Sequence, residues 1–278
     1  MKADYPIAQL CIALGASRSG FYAWSNQRPS RRIQEDERLT ERIRTVHTRS
    51  RHTYGSPRIR IELQADGIGI GRRRIARIMR QQRIFGRCRK RRNPRTTHSN
   101  HDYPIAPNLL QDRAPAQAID EVWRTDITYV PTDEGWLYVA AMMDAYSRRI
   151  VGWACSSTLA TGLCLEALRK ALQNRRPPAG LIHHSDRGVQ YASREYRQAL
   201  MNAGLTQSMS RKANCYDNAM IESFWSTLKT ESTARKHFKT RAEARLAVFD
   251  FIECFYNPHR RHSSIGGVSP VAFETLNN

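Results

Sequence analysis

The chain has 278 residues, enough for one sizeable core and a smaller unit, and 40% hydrophobic content with five Trp and eleven Tyr excludes a chain disordered throughout. Its net charge of +20 is uneven: residues 31–100 carry 21 basic and 6 acidic side chains, whereas residues 101–278 carry 21 and 18. A solvated basic surface or a tail for anionic membranes is the plainer reading, but Arg far outnumbers Lys in that stretch and alternates with apolar positions at helical spacing, which favours DNA.

From the N-terminus, Ile7, Leu10, Ile12 and Leu14 predict a short helix, Gly15 a turn, and Ser17 the cap of a second helix bearing Phe21, Tyr22 and Trp24. Residues 1–30 thus have the outline of a helix-turn-helix or of a plain helical hairpin. Residues 31–100 follow as a basic helical domain and linker. Leu39, Ile43 and Val46 mark one helix, and Ser56 and Pro57 are expected at the cap and first position of the next. A third helix begins near Arg72, after Gly67, Gly69 and Gly71, with Ile75, Ile78 and Met79 inward and Arg73, Arg77 and Arg80 on one opposing face suited to phosphates. Residues 86–100 lack periodicity and read as a basic linker able to track DNA.

From about Ala118 the pattern becomes strand-like. Strands are predicted over 122–130, 136–143 and 149–154, a helix over 161–173 with Leu165, Leu168 and Leu172 inward, a strand over 181–184, a helix over 193–203, and a short strand over 205–208. A final helix begins near a cap at Asp217 or Asn218; on it Ile221, Trp225 and Leu228 make a core stripe while Glu222, Ser226 and Lys229 share another face. The order βββαβαβα defines an α/β domain over 114–232 with a mixed sheet and flanking helices, followed by a helical extension over 233–278.

Three acids stand out. Asp186 ends an apolar strand in His-His-Ser-Asp-Arg-Gly-Val-Gln-Tyr, Glu222 follows after thirty-five intervening residues, and Asp126 lies on the first predicted strand. To share divalent metal, Asp126 and Asp186 need their strands side by side, as in a ribonuclease-H-like sheet. Asp144 is the rival to Asp126, with a turn-capping role expected of it. His183 and His184 neighbour the site on opposite faces of their strand. Arg211 and Lys212 lie in the loop before the Glu222 helix, and Arg260-Arg261-His262 either extend a DNA surface or cap the core.

These motifs, together with Asp-Asn-Ala-Met-Ile-Glu-Ser-Phe-Trp around Glu222, Tyr-Asn-Pro-His-Arg-Arg-His-Ser-Ser near the end, and Ser17–Trp24 and Tyr54–Ile59 near the start, resemble the OrfB-type bacterial insertion-sequence transposases, whose catalytic core is related to that of retroviral integrases. The resemblance covers nearly the whole chain. It implies metal-dependent cleavage and transfer of DNA strands at element ends. Asp126, Asp186 and Glu222 would be the catalytic metal ligands, magnesium the cofactor with manganese able to replace it, and Lys229 a contact to the DNA end. Hard carboxylate oxygens suit such ions. It also implies duplex DNA, both element ends and target, as partner. No leucine-heptad segment precedes Ser17, and in such transposases that segment comes from an upstream reading frame joined by frameshifting, so a fusion partner is expected.

Two ends joined in one event call for at least a dimer. A ribonuclease-H-like nuclease or junction resolvase, and a DNA-binding regulator with vestigial acids, are the alternative readings. The six cysteines show no C-x-x-C spacing, and no segment approaches the ~20 apolar residues of a membrane span, so a cytoplasmic protein with free thiols and no membrane partner is expected.

Overall fold

The computed structural model describes residues 5–26, 30–88, 103–211, 218–234 and 236–277. Val122–Thr132 (β1), Gly135–Asp144 (β2) and Ile150–Ser156 (β3) form an antiparallel meander. Ile182–Ser185 (β4) and Thr206–Met209 (β5) add parallel strands on the other side of β1, giving the order β3-β2-β1-β4-β5. A mixed five-stranded sheet with flanking helices is the ribonuclease-H-like arrangement expected from the sequence. The chain divides into two compact units, residues 1–85 and 86–278.

In the first unit, Ile7–Ala13 (α1) and Arg18–Ser25 (α2) are joined through Gly15, whose φ of +62° is one that a side chain rarely adopts, and Ser17 caps α2 by accepting from the Gly20 N–H. Arg31–Arg49 (α3), Ser56–Ala65 (α4) and Arg72–Gln81 (α5) pack through Ile43, Val46, Ile59, Leu63, Ile75, Ile78 and Met79. The start of α4 differs from expectation by one residue. Gly55 is the cap and Ser56 already helical, which places Pro57 at the second position, where its missing N–H still costs no helical hydrogen bond. The linker reading falls mostly on residues 89–100, outside the described residues.

In the second unit, Thr161–Arg175 (α6) covers the sheet, with Val189–Ala192 (α7) and Arg194–Asn202 (α8) beside it. The leucine face expected for α6 is corrected. Leu163, Cys164, Ala167, Leu168 and Ala171 are buried, whereas Leu165 and Leu172 pack at the margin. The reason lies in β3, where a Cβ on Gly152 would stand 2.5 Å from the Ala167 carbonyl oxygen. The helix sits so close to the sheet there that small residues take its centre and the larger leucines its flank.

Ala219–Leu228 (α9), Arg241–Phe251 (α10) and Pro270–Asn277 (α11) complete the unit, with wide turns at Lys229–Thr233 and Ile252–Tyr256 extending α9 and α10. Arg260 does not extend a DNA surface. It is buried and makes a two-pronged ion pair with buried Glu231, both bonds at 2.7 Å, while Arg261 donates to the Gly267 carbonyl, so these residues cap the core.

Candidate active site

β4 is short, and Asp186 follows directly after its last residue. The strand pairs with β1 only from Val122↔Ile182 to Arg124↔His184, and beyond Arg124 the β1 edge needs another partner. Asn218, at the start of α9, supplies it: the buried side-chain amide donates to the Thr125 carbonyl at 3.1 Å. Asn218 was expected as a helix cap, yet its side chain makes no capping bond. The tie sets the first turn of α9, with Glu222, beside the residue preceding Asp126. Glu222 is exposed on that turn, where the helix N-terminus favours a negative charge.

Asp126 is half-buried, and its Oδ1 accepts from the Ile127 N–H at 2.8 Å. Its pKa is raised well above the usual carboxylate range, first by burial and then by the charge of Asp186, with Glu222 adding to it. The Ile127 N–H opposes the rise, and so does the neighbouring Trp225 indole, although the buried Trp225 N–H does not reach full hydrogen-bond geometry. Asp186 is half-buried just past β4, with Oδ1 accepting from the Gly188 N–H at 2.9 Å. Among the described residues no three His, Cys, Asp or Glu side chains form a ready-made metal cage. What joins the three acids is electrostatic. Asp126 feels both others, and the donors are all hard oxygens of the kind magnesium prefers.

Lys229 opens the turn after α9, half-buried, with its Nζ 4.8 Å from the centre of the Tyr129 ring. Burial lowers its pKa and Asp126 works against that, so the ammonium stands within the field of the acids rather than free in solvent. Asp144 is elsewhere and fully buried; its oxygens accept from the N–H groups of Ser147 at 2.7 Å, Tyr146 at 3.0 Å and Asp120 at 2.7 Å. It fastens the turn between β2 and β3, the capping role expected of it.

Neither His183 nor His184 faces the acids from an open surface. Both are fully buried, His183 sharing a hydrogen bond with the Tyr196 hydroxyl and His184 with Ser208, and burial pushes His183 down to about 3. Arg211 is exposed after β5, while Lys212 lies outside the described residues. On α5, Arg73 and Arg80 are exposed, but the expected three-arginine face is broken. Arg77 donates to Asp36 of α3 and to Gln81, and Arg74 also holds Asp36, at 2.8 Å. Three contributors escaped the sequence reading: Asn218 as a strand tie, Gly188 and Tyr129. Only Gly188, directly after Asp186-Arg187, left a local signal.

Comparison with known families assigns the two units of the chain. Integrase core domain models match residues 116–215 and 203–270, and an HTH-like domain model matches residues 34–92, the α3–α5 region. The chain is 49% identical over 265 residues to an uncharacterized 31 kDa protein of insertion element IS600 from Shigella sonnei, covering 95% of this chain and 97% of that one. It is 39% identical over 278 residues to the transposase InsF of insertion sequence IS3A from Escherichia coli K12, covering 99% and 96%. The chain belongs to the IS3-family transposases. A solved simian T-cell lymphotropic virus intasome aligns over 82% of the transposase and 73% of its own chain at 14% identity, with a TM-score of 0.48. By its family the transposase is an enzyme of DNA transposition with an integrase-type core, and among its described residues no helix is long and apolar enough to cross a membrane.

Proposed function

We propose that Asp126, Asp186 and Glu222 are the catalytic ligands for a divalent cation, magnesium with manganese able to replace it, in the cleavage and transfer of strands at element ends. The carrying observation is that Asp186 and Glu222 both raise the proton affinity of Asp126. Carboxylates brought this close repel one another, and a divalent cation bound among them would relieve that repulsion through hard oxygen ligands. Bound there, a divalent ion supplies positive charge for the attacking and leaving oxygens of an in-line displacement at phosphorus.

The residues of the chain do the rest. Gly188 N–H and Ile127 N–H each hold one carboxylate oxygen and fix its orientation. Asn218 fixes α9, and Lys229 offers a cation to the phosphate of the DNA end. Arg73 and Arg80 contact the duplex backbone, Arg211 and Lys212 the target strand, and the enzyme acts as at least a dimer.

Manganese titration of the full chain, read by water-proton relaxation, tests this beside strand transfer on duplex bearing the element end. Asp186→Asn is expected to lose manganese binding and cleavage while keeping DNA binding. Full cleavage by that variant removes the reading. A nuclease or resolvase would cut without joining, and a regulator would do neither.

A further inference from the structure

One exposed feature of the catalytic unit is not used by the acids. Trp136, at the start of β2, is 48% exposed, and its ring packs edge-on against Tyr129 of β1 with centroids 4.7 Å apart. Tyr129 in turn carries the Lys229 ammonium at 4.8 Å. A row therefore runs outward from the acids: Lys229, then Tyr129, then Trp136. Tyr129 is three residues beyond Asp126 on the same strand, roughly 10 Å along it and, by strand alternation, on the opposite face, so it is Lys229 that links the aromatic pair to the acids.

An exposed aromatic on a hairpin tip is commonly a loose surface feature, but this tip is fastened. The Asp133 N–H donates to the Phe238 carbonyl at 3.0 Å, the Arg241 N–H to Glu134 at 2.8 Å, and the Arg241 Nε to the Trp136 carbonyl at 3.1 Å. His237 holds Asp133 at 3.1 Å. The acids of the tip are thereby engaged, and the Trp136 ring stands on a braced backbone. Rigid aromatics beside cations suit an unpaired nucleobase, because each base offers a face for stacking and each phosphate a charge for the cation.

Resting on the carboxylate reading of the site, we propose that Tyr129 and Trp136 form a stacking platform for unpaired bases of the DNA strand next to the scissile phosphate, with Lys229 holding the intervening phosphate. The platform favours ends whose last bases have come apart, and it positions DNA without touching the reacting atoms. A fully paired duplex gains little from it.

Fluorescence of 2-aminopurine separates the two cases. The probe is placed in an unpaired flank at the element end, or in the same position fully paired, and titrated with the full chain in the absence of divalent metal. The unchanged protein should quench the unpaired probe. Trp136→Ala and Tyr129→Ala should each weaken binding of the unpaired end about tenfold, in keeping with ~1–3 kcal/mol per stacked base, and alter binding of the paired end less than about twofold. Trp136→Phe should retain most of the preference, with thermal midpoints confirming that the variants fold. Equal loss on both DNAs, or no loss on either, overturns the platform. Because the assay needs no metal, it is read separately from cleavage. Retained cleavage by Asp186→Asn would defeat the carboxylate reading without altering this measurement.

Discussion

The Asn218 amide and the Thr125 carbonyl meet at 3.1 Å where β4 stops pairing with β1, and this bond ties the helix of Glu222 to the strand of Asp126. Replacing Asn218 with Ala leaves a buried carbonyl unpaired, at a cost of about 1–3 kcal/mol. Its larger effect should be on geometry. Strand transfer is expected to fall at least tenfold while DNA binding is kept, measured on element-end duplex at saturating protein. Unchanged transfer in a folded Asn218→Ala protein would mean α9 is positioned by its apolar face alone.

Asp144 provides the contrast. Its two oxygens accept from three backbone N–H groups, which an amide nitrogen cannot do. Asp144→Asn should therefore lower stability by about 1–3 kcal/mol in denaturant unfolding and leave manganese affinity unaltered at a temperature where the protein stays folded. Abolished metal binding with unaltered stability would make Asp144 a member of the site.

Much of this was legible in the chain. The Asp186 and Glu222 flanks are local, and α9 announces itself by Ile221, Trp225 and Leu228 at helical spacing, all buried. Contacts between residues distant in sequence were not legible. Nothing around Arg260 tells that it will lie buried against Glu231, twenty-nine positions earlier, rather than on the surface with its basic neighbours. Likewise the leucines of α6 give the right period but the wrong centre, since closeness to Gly152 is a property of the packed sheet and not of the helix. Periodicity reports which residues can be buried; the partner's shape decides which are buried most.

Gly188 is a position where one methyl group should silence the enzyme. Its φ of −62° and ψ of 140° are open to any residue, so backbone strain is not the obstacle. A Cβ there would lie 2.9 Å from Asp186 Oδ1 and 3.2 Å from Gln190 Oε1. Gly188→Ala should displace the Asp186 carboxylate, weakening manganese binding about tenfold with little change in thermal midpoint. Undiminished affinity in that variant would show that Asp186 has room to give.

Acid should destabilise the protein through its buried histidines. Burial lowers the pKa of His183 to about 3 and lowers that of His47 as well, whereas both take up protons near 6.5 when unfolded. The stability they contribute is complete above about pH 6.5 and diminishes as pH falls toward the folded values, with a slope of up to about 1.4 kcal/mol per pH unit for each. His183→Gln should flatten unfolding free energy against pH between roughly 6.5 and 5, above the range where carboxylates such as Glu274 take over. An unaltered slope would assign the acid sensitivity elsewhere.

The α5 arginines should separate into two kinds. Arg73 and Arg80 are exposed, so changing either to Ala should remove one neutralised phosphate, reduce the slope of log affinity against log salt by about 0.9, and leave stability within about 0.5 kcal/mol. Arg77 faces Asp36 across α3 and lowers its pKa, the side-chain bond being the largest cause. Since the Arg77 side chain is 38% exposed, solvent weakens that pair, and Arg77→Ala should cost no more than about 1 kcal/mol of stability. Its salt slope on duplex DNA should nonetheless match that of the unchanged protein, because the guanidinium is committed within the helical unit. A drop of about 0.9 for Arg77→Ala, equal to that of Arg73→Ala, would show that DNA draws Arg77 away from Asp36 and that the three arginines act as one face after all.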